Sequence, residues 1–325
     1  MSAPGTQPVT PPTTPQRPGR RRPVRAGSGL VVVRGAGTLY LTDPGEALAA
    51  TAAGELVRIR QGAYVGERTW ASWDGRAREL AVARVVHDRL GAGTLSHRTA
   101  ALAWDLPLVG ERSTGVHVTV PLGPGGRSRR DIVRHATSGP VQATVREQLR
   151  VTTAARTIVD LARTSGFLTG VAAADHALHA GLTDHDELAA VLATLVGTRG
   201  YRVARQAVDF ADGRTESAGE SLSRVRMHEL GIPRPEPQHE IRLPGGGDYR
   251  VDFYWPAHRL IGESDGKAKY GAHGLTPGDA AEQLWQEKRR EDALRAAGYG
   301  VVRWGWDDAW AGTPLARALR NAGLR

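Results

Sequence analysis

VDFYWPAHRLIGESDGK, residues 251–267, is the stretch on which the architecture turns. It reads as two short strands around a tight loop. Alternation sets Val251 and Phe253 on one face and Asp252 on the other. In the second strand Ile261, Glu263 and Asp265 share a face. A four-residue loop over 256–259 pairs Trp255 with Leu260, and that register puts Asp252 directly opposite Glu263. Their Cβ atoms then lie about 5 Å apart. Like charges so placed repel, and a divalent cation between them removes the repulsion. Oxygen donors of this kind suit Mg²⁺ or Mn²⁺. Such an ion activates water and stabilises a phosphoryl transition state. Asp252, Glu263 and Asp265 are therefore the candidate metal ligands.

Outward from this stretch, the order of elements is α-β-β-β-α-β. A helix over about 217–230 stops at Gly231, and a Pro-rich segment covers 233–237. Strands fall near 238–243, 249–254 and 260–265, with a Gly-rich turn at 245–247. A helix over about 279–297 stops at Gly298, and YGVVRW forms a last strand over 299–304. This order predicts a mixed α/β (α+β) domain over 216–325. Glu220, on the first helix, is placed to reach the same ion or to orient water. Lys267 is placed to neutralise developing negative charge. Lys288, Arg289 and Arg290 form a basic run fit to track a phosphate backbone. Each has a plainer reading alone: Glu220 as an exposed helix residue, Asp265-Gly266 as a turn, the basic run as a solvated face.

The 325 residues predict more than one domain, and 40% hydrophobic content suffices for real cores. Upstream of 216, a mostly helical block spans 76–215. Val82, Val85, Val86 and Leu90 keep helical spacing, as do Ala155, Ile158, Val159 and Ala162. Leu188, Val191, Leu192 and Leu195 do so behind a capping pair, Asp184 and Glu187. VHVTV at 116–120 is strand-like. A first ordered block covers 29–75, with a helix from Asp43-Pro44 to Gly54 and then ELVRIRQGAYV, a β-hairpin pattern.

Residues 1–28 are rich in Pro, Thr, Arg and Gly and read as a disordered basic tail. Five arginines and no acid fall within 1–27, leaving +4 of the net +9 for the rest. The Arg20–Arg22 run serves either phosphate contact or solubility. The basic balance suggests a polyanion such as nucleic acid. Cysteine is absent, which excludes disulfides, thiolate zinc, iron–sulfur clusters and a thiol nucleophile. No apolar run of about 18 residues occurs and no apolar leader opens the chain, so neither a membrane span nor a secretory signal is expected. The expected compartment is the cytoplasm.

Three phrases, ESAGESLSRVRMHELGIPRPEPQ, YRVDFYWPAHRLIGESDGK and EKRREDALRAAGYGVVRWGWDD, resemble the very-short-patch-repair-like domain of the PD-(D/E)XK nuclease superfamily. Upstream, LVRIRQGAYV, TLSHRTAALAWDLPL and LRVTTAARTIVDLAR resemble the AbiEi family of type IV antitoxins. The first resemblance implies a restriction-endonuclease-like fold. Position by position, Asp252 matches the PD aspartate, Glu263 the first acid of (D/E)XK and Glu220 the acid of the preceding helix. The lysine position holds Asp265, with Lys267 two residues beyond it, and His273 stands where repair enzymes of this group use histidine. The second resemblance implies a winged helix on DNA, with the hairpin 55–65 as wing and Arg58 and Arg60 pointing the same way to phosphate or minor groove. It also implies a possible cognate toxin as partner. Only one helix precedes the wing, where that family has a pair.

Three functions compete. A Mg²⁺-dependent DNA endonuclease is favoured by Asp252 and Glu263 occurring together. A DNA-binding regulator with a degenerate nuclease fold is favoured by the missing lysine. An interaction protein without a nucleic-acid role is favoured only by the modest charge of the folded part.

Overall fold

The computed structural model describes residues 30–32, 44–90, 93–112, 114–122, 128, 131–243, 246–265 and 277–324. The basic tail, Lys267 and His273 lie outside them. The chain is mixed α/β and divides into two compact units, Met1–Val85 and Val86–Arg325.

In the first unit, β1 (Leu30–Val32), β2 (Leu56–Arg60) and β3 (Ala63–Gly66) form an antiparallel sheet in the order β1-β3-β2. α1 (Pro44–Ala52) precedes the hairpin and ends two residues before Gly54, which takes the left-handed φ of 74° that stops a helix. Gly62 turns the hairpin at φ 64°. α2 (Glu67–Ser72) follows, and then α3 (Gly75–Leu90), within which the two units divide. Ala63, Val65, Ala81 and Val85 form the core of this unit, with Val57, Ile59, Trp70 and Trp73 against it.

The second unit opens with a five-stranded sheet that periodicity showed only in part. β4 (Thr94–Leu95) leads into α4 (His97–Trp104). β5 (Val116–Pro121), β6 (Ile132–Thr137), β7 (Ala143–Arg146) and β8 (Leu149–Thr152) complete the order β6-β5-β4-β8-β7. The block expected to be mostly helical thus carries a sheet in its first half. Only β5 alternates clearly enough to be read; β4 is two residues long, and β6, β7 and β8 are interrupted by arginines. The helices fill the second half: α5 (Ala154–Ser165), α6 (Phe167–His179), α7 (His185–Ala193) and α8 (Tyr201–Phe210). Asp184 caps α7 by accepting from the Glu187 N–H at 2.8 Å, as its sequence spacing predicts. Ile158, Leu161, Val171, Leu188 and Ala204 are fully buried in the core of this bundle.

The C-terminal sheet follows the expected α-β-β-β-α-β order. It comprises α9 (Ala218–Glu229), β9 (Glu236–Arg242), β10 (Asp248–Trp255), β11 (Leu260–Asp265), α10 (Pro277–Ala296) and β12 (Gly300–Gly305). The strand order is β12-β11-β10-β9, with β11 and β12 parallel and the other pairs antiparallel. Two further helices, α11 (Trp306–Ala311) and α12 (Thr313–Asn321), were not anticipated. Phe253, Trp255, Leu260 and Trp304 pack with Leu222 and Met227 of α9. Tyr254, Ile261 and Val301 pack with Leu294 of α10. The sheet is thus covered on both faces, and from Phe253 to Trp255 β10 contributes alternate residues to each, with Val251 on the side of Tyr254. Gly262 is required by this packing, because a Cβ there would come within 2.5 Å of the Trp304 ring.

Residues 86–325 hold together across the boundary read near 215. Arg224 of α9 donates to Asp175 of α6 at 2.6 Å and to the Phe210 carbonyl at 2.8 Å. Ser221 Oγ and the Asp212 N–H also donate to Asp175, each at 2.8 Å. Both charged side chains are almost wholly buried, so the bundle and the C-terminal sheet share a fully hydrogen-bonded ion pair.

Candidate active site

The β10–β11 hairpin pairs Trp255 with Leu260, Tyr254 with Ile261 and Phe253 with Gly262. The sequence register is therefore the observed one. Carried one step further, it sets Asp252 across from Glu263. On its other side β10 pairs Val251 with His239 and Phe253 with Pro237, which leaves Gln238 across from Asp252. β12 places Arg303 beside Glu263. Extended this way, the register sets Gln238, Asp252, Glu263 and Arg303 in a row at one level of the sheet, of which Glu263 and Arg303 are paired partners. Glu263 stands two residues from Ile261 and meets Arg290 of α10, whereas Asp252 is linked through Gln238 to Glu220 of α9. Val251 packs with Leu294 of α10 and Phe253 with Leu222 of α9, so the expectation that these two share a face is corrected: β10 breaks its alternation at Asp252.

Asp252 is fixed by the Ser264 N–H, which donates to its Oδ2 at 2.8 Å. Arg290 of α10 donates to Glu263 Oε1 at 3.0 Å and also to the Arg250 carbonyl. Glu263 is buried. Asp265, two residues on, accepts from Arg303 at 3.2 Å, and Arg303 also reaches Glu291 at 3.0 Å.

Glu220 comes to the row from the first turn of α9. Ser217 caps that helix, accepting from the Glu220 N–H at 3.2 Å and donating its hydroxyl to Glu220 Oε1 at 2.7 Å. Oε2 accepts from Gln238 Nε2 at 2.8 Å and from the Glu216 N–H at 3.1 Å. Gln238 Nε2 lies 3.5 Å from Asp252 Oδ1 and so stands between the two acids. Burial, with the Asp252 charge added, pushes the Glu220 carboxyl above the ordinary range, against hydrogen bonds that lower it.

Glu220 and Asp252 are brought together through Gln238, and Glu263, on the next strand, is bound to Arg290. Asp265 is turned to Arg303 at the edge of the group, and Lys267 lies outside the described residues. The basic run divides. Arg290 is spent on Glu263 rather than facing outward, Arg289 lies over the exposed Trp285 ring at 4.7 Å, and Lys288 is exposed. In the first unit, Arg58 pairs with Tyr64 but Arg60 pairs with Ala63, because a bulge interrupts β2 between them. Tyr64 and Ala63 are neighbours on opposite faces of β3. The expectation that both arginines point the same way is therefore corrected: the extra residue resets the alternation.

Sequence reasoning missed Gln238 and Arg303 and misassigned Arg290. The signal for Arg303 is present, since a parallel β11–β12 pairing brings it beside Glu263. That for Gln238 is a positive φ of 51° within a strand, which no sequence pattern announces.

The donor chemistry fits a hard dication. Asp252 and Glu263 offer carboxylate oxygens only, and Mg²⁺ commonly takes one or two such ligands with water completing its shell. A third acid in the same shell does not fit. Among the described residues, the only three ligating side chains with donor atoms within 4.8 Å of one another are His97, His117 and His135, on the other sheet.

No family model matches the chain. Two proteins of Mycobacterium tuberculosis are similar to it: Uncharacterized protein MT2308 of strain CDC 1551 / Oshkosh and Uncharacterized protein Rv2248 of strain ATCC 25618 / H37Rv. Each is 34% identical over 211 residues, 63% of this chain and 73% of the relative. The chain belongs to their family. That membership brings no activity with it, so the chemistry is argued from the row itself. Among the described residues no helix is long and apolar enough to cross a membrane.

Proposed function

We propose that the protein is a metal-dependent DNA endonuclease of the very-short-patch-repair-like PD-(D/E)XK type, with an antitoxin-like DNA-binding region upstream. The observation that carries this reading is the Gln238–Asp252–Glu263–Arg303 row with Glu220 beside it. Asp252 and Glu263 would hold the ion, and Mg²⁺ or Mn²⁺ bound there would polarise the scissile phosphoryl group. The chain's own residues supply the rest. The Ser264 N–H fixes the Asp252 carboxylate, and Gln238 orients Glu220. A carboxyl with raised proton affinity suits Glu220 to take the proton of the attacking water. That water oxygen forms the new bond to phosphorus, the bond to the leaving sugar oxygen breaks, and solvent protonates the leaving oxygen. Arg290 and Arg303 are guanidinium groups at the acids, fit to offset charge gathering on the phosphoryl oxygens. They take the part that the lysine of the motif has elsewhere in the superfamily.

A second reading has an observation of its own. Arg290 and Arg303 already neutralise Glu263 and Asp265. That suits a degenerate nuclease fold kept for DNA binding and regulation.

The test is nicking of supercoiled and mismatched plasmid with Mg²⁺, with Mn²⁺ and with EDTA, for wild type and Asp252→Ala. The expected result is metal-dependent cutting that the variant loses while its circular dichroism is unchanged. If neither protein cuts and both bind DNA with the same salt dependence, the regulator reading replaces the enzyme.

A further inference from the structure

The five-stranded sheet carries three imidazoles that the nuclease reading does not use. His97 is the first residue of α4, His117 lies in β5 and His135 in β6. The parallel β5–β6 register pairs Thr119 with His135. His117, two residues before Thr119, is therefore on the same face and one step away. α4 is tied down over it: the Ser96 N–H donates to the His117 carbonyl at 3.0 Å and the His117 N–H donates to Thr99 Oγ1 at 2.8 Å. The His97 ring then stacks on His135 with centroids 3.5 Å apart. His135 Nε2 lies 3.1 Å from His117 Nδ1.

Three features of this cluster lack a packing explanation. His117 is 6% exposed and its buried Nε2 makes no hydrogen bond of good geometry, although the Thr114 backbone acts on the ring. An unsatisfied polar atom of that kind costs about 1–3 kcal/mol. His97 holds a left-handed φ of 49°, which a side chain with a Cβ adopts at a cost of roughly 1–2 kcal/mol. Three basic rings converge with no carboxylate among them. Each offers a nitrogen, and the three nitrogens lie within 4.8 Å of one another.

We propose that His97, His117 and His135 form a binding site for a divalent transition metal, with Zn²⁺ as its natural occupant. Zn–N bonds of about 2.0–2.1 Å in a tetrahedron separate the nitrogens by roughly 3.3 Å. His117 Nδ1 and His135 Nε2 are already at that spacing, so His117 ligates through Nδ1 and the ion does not itself satisfy its Nε2. Closing the site turns the stacked His97 and His135 rings apart until both planes contain the ion. Ser96 Oγ, 2.9 Å from His97 Nδ1, then fixes that ring from behind and leaves Nε2 to ligate. Imidazole donors select Zn²⁺ and its neighbours over Mg²⁺ or Ca²⁺. Ligation requires neutral rings, and burial, with repulsion from the neighbouring rings at His97 and His135, already disfavours their protonation. Arg98 acts on His117, Arg163 on His97 and His135, and Arg156 on His97, all opposing positive charge, while Glu111 and a hydrogen bond with the Thr114 backbone favour it at His117. Arg156 and Arg163 are both bound to Asp160, at 2.8 and 3.0 Å, which reduces their opposition. Three protein ligands leave a fourth position open, the arrangement of zinc sites that bind water or substrate.

The test uses the full chain, stripped with chelator and dialysed. Co²⁺ is titrated as the spectroscopic stand-in, then Zn²⁺. The expected result is one equivalent of Co²⁺ with visible bands of four- or five-coordinate geometry, displaced by equimolar Zn²⁺ and untouched by a roughly hundredfold excess of Mg²⁺. Zn²⁺ should raise Tm by about 5 °C at a hundredfold excess over Kd. His135→Asn should abolish the bands, whereas Asp252→Ala should keep them, so failure here is separate from failure of the nuclease reading. A wild-type chain that gives no visible bands, or keeps full stoichiometry in a folded His97→Ala/His135→Asn double variant, overturns the proposal. The first outcome needs no variant, so misfolding cannot hide the answer.

Discussion

The acid row on β9–β12 and the histidine cluster on β4–β6 are both packed groups of titratable side chains within one compact unit, and they are balanced in opposite ways. In the row, Asp252 has a backbone N–H, Glu263 has Arg290 and Asp265 has Arg303. In the cluster, a buried ring nitrogen makes no hydrogen bond of good geometry and the nearest cations repel rather than pair. A row in which these acids have partners can persist for stability alone, so its presence is weak evidence of catalysis. A cluster with an unsatisfied nitrogen has room for a ligand or an ordered water, which the paired row does not. The better-known motif is thus the more ambiguous of the two.

The largest expected effect tests the ground on which that comparison stands. Both groups lie within residues 86–325, where Asp175 and Arg224 are paired and buried. Arg224→Ala leaves Asp175 buried without its cation and should cost about 3–5 kcal/mol. Urea melts should show one transition at a much lower midpoint. Two separate transitions would mean that the sheets fold independently and that the clusters must be compared as sites of different domains.

Next in size is the loss of cleavage. Asp252→Asn keeps the shape of the side chain and removes its charge. Nicking should fall by about 100-fold or more, roughly 2.7 kcal/mol of barrier. An unchanged rate would leave the row as a structural device and the histidines as the better candidate for chemistry.

The two groups also differ in how far the sequence revealed them. Asp252, Glu263 and Asp265 lie within one hairpin, so a four-residue loop sets its register in advance, and the observed pairing agrees as far as Phe253 and Gly262, although alternation breaks at Asp252. The α-β-β-β-α-β order was legible for the same reason: each helix is capped or stopped by Ser217, Gly231 or Gly298. The histidines come from a helix start and two strands with loops between them. No spacing rule joins residues 97, 117 and 135, and a single histidine in a strand reads as packing. The strands that join them are short, so the sheet itself was mostly illegible. Arg60 failed for a different reason. A bulge is a backbone decision taken in three dimensions, and it inverted a face that simple counting had assigned.

A third prediction probes the histidines without metal. His135 has its pKa lowered to about 4, chiefly by burial and then by His117 and Arg163. The unfolded chain takes up that proton near the ordinary 6.5. Between those values protons favour the unfolded state, so stability is complete above about pH 6.5 and is lost as pH falls toward 4. His97 and His117 are shifted the same way. With solvent screening of the half-buried ring, the loss from His135 should be about 2 kcal/mol. Urea midpoints in chelator at pH 7.5 and 5.0 measure it. His135→Asn should flatten the profile, and bound Zn²⁺ should hold the midpoint high until protons displace the ion. A profile equally steep in wild type and variant would locate the acid sensitivity elsewhere.

The smallest effect is the most discriminating for the row. Arg290 donates to Glu263 and so has two possible roles: it offsets charge on the phosphate, or it stands in for the cation that Glu263 would bind. Arg290→Gln separates them. A guanidinium acting on the phosphate should cost about tenfold in nicking rate, with the Mg²⁺ requirement unmoved, since a single charge-assisted contact is worth roughly 1.5 kcal/mol. A guanidinium that competes with the ion should give the reverse, a lower Mg²⁺ requirement with no loss of maximal rate. The first outcome makes Arg290 the functional replacement for the missing lysine. The second makes the Arg290–Glu263 pair a latch on the metal site, and the balance of the row would then be a resting state rather than a relic.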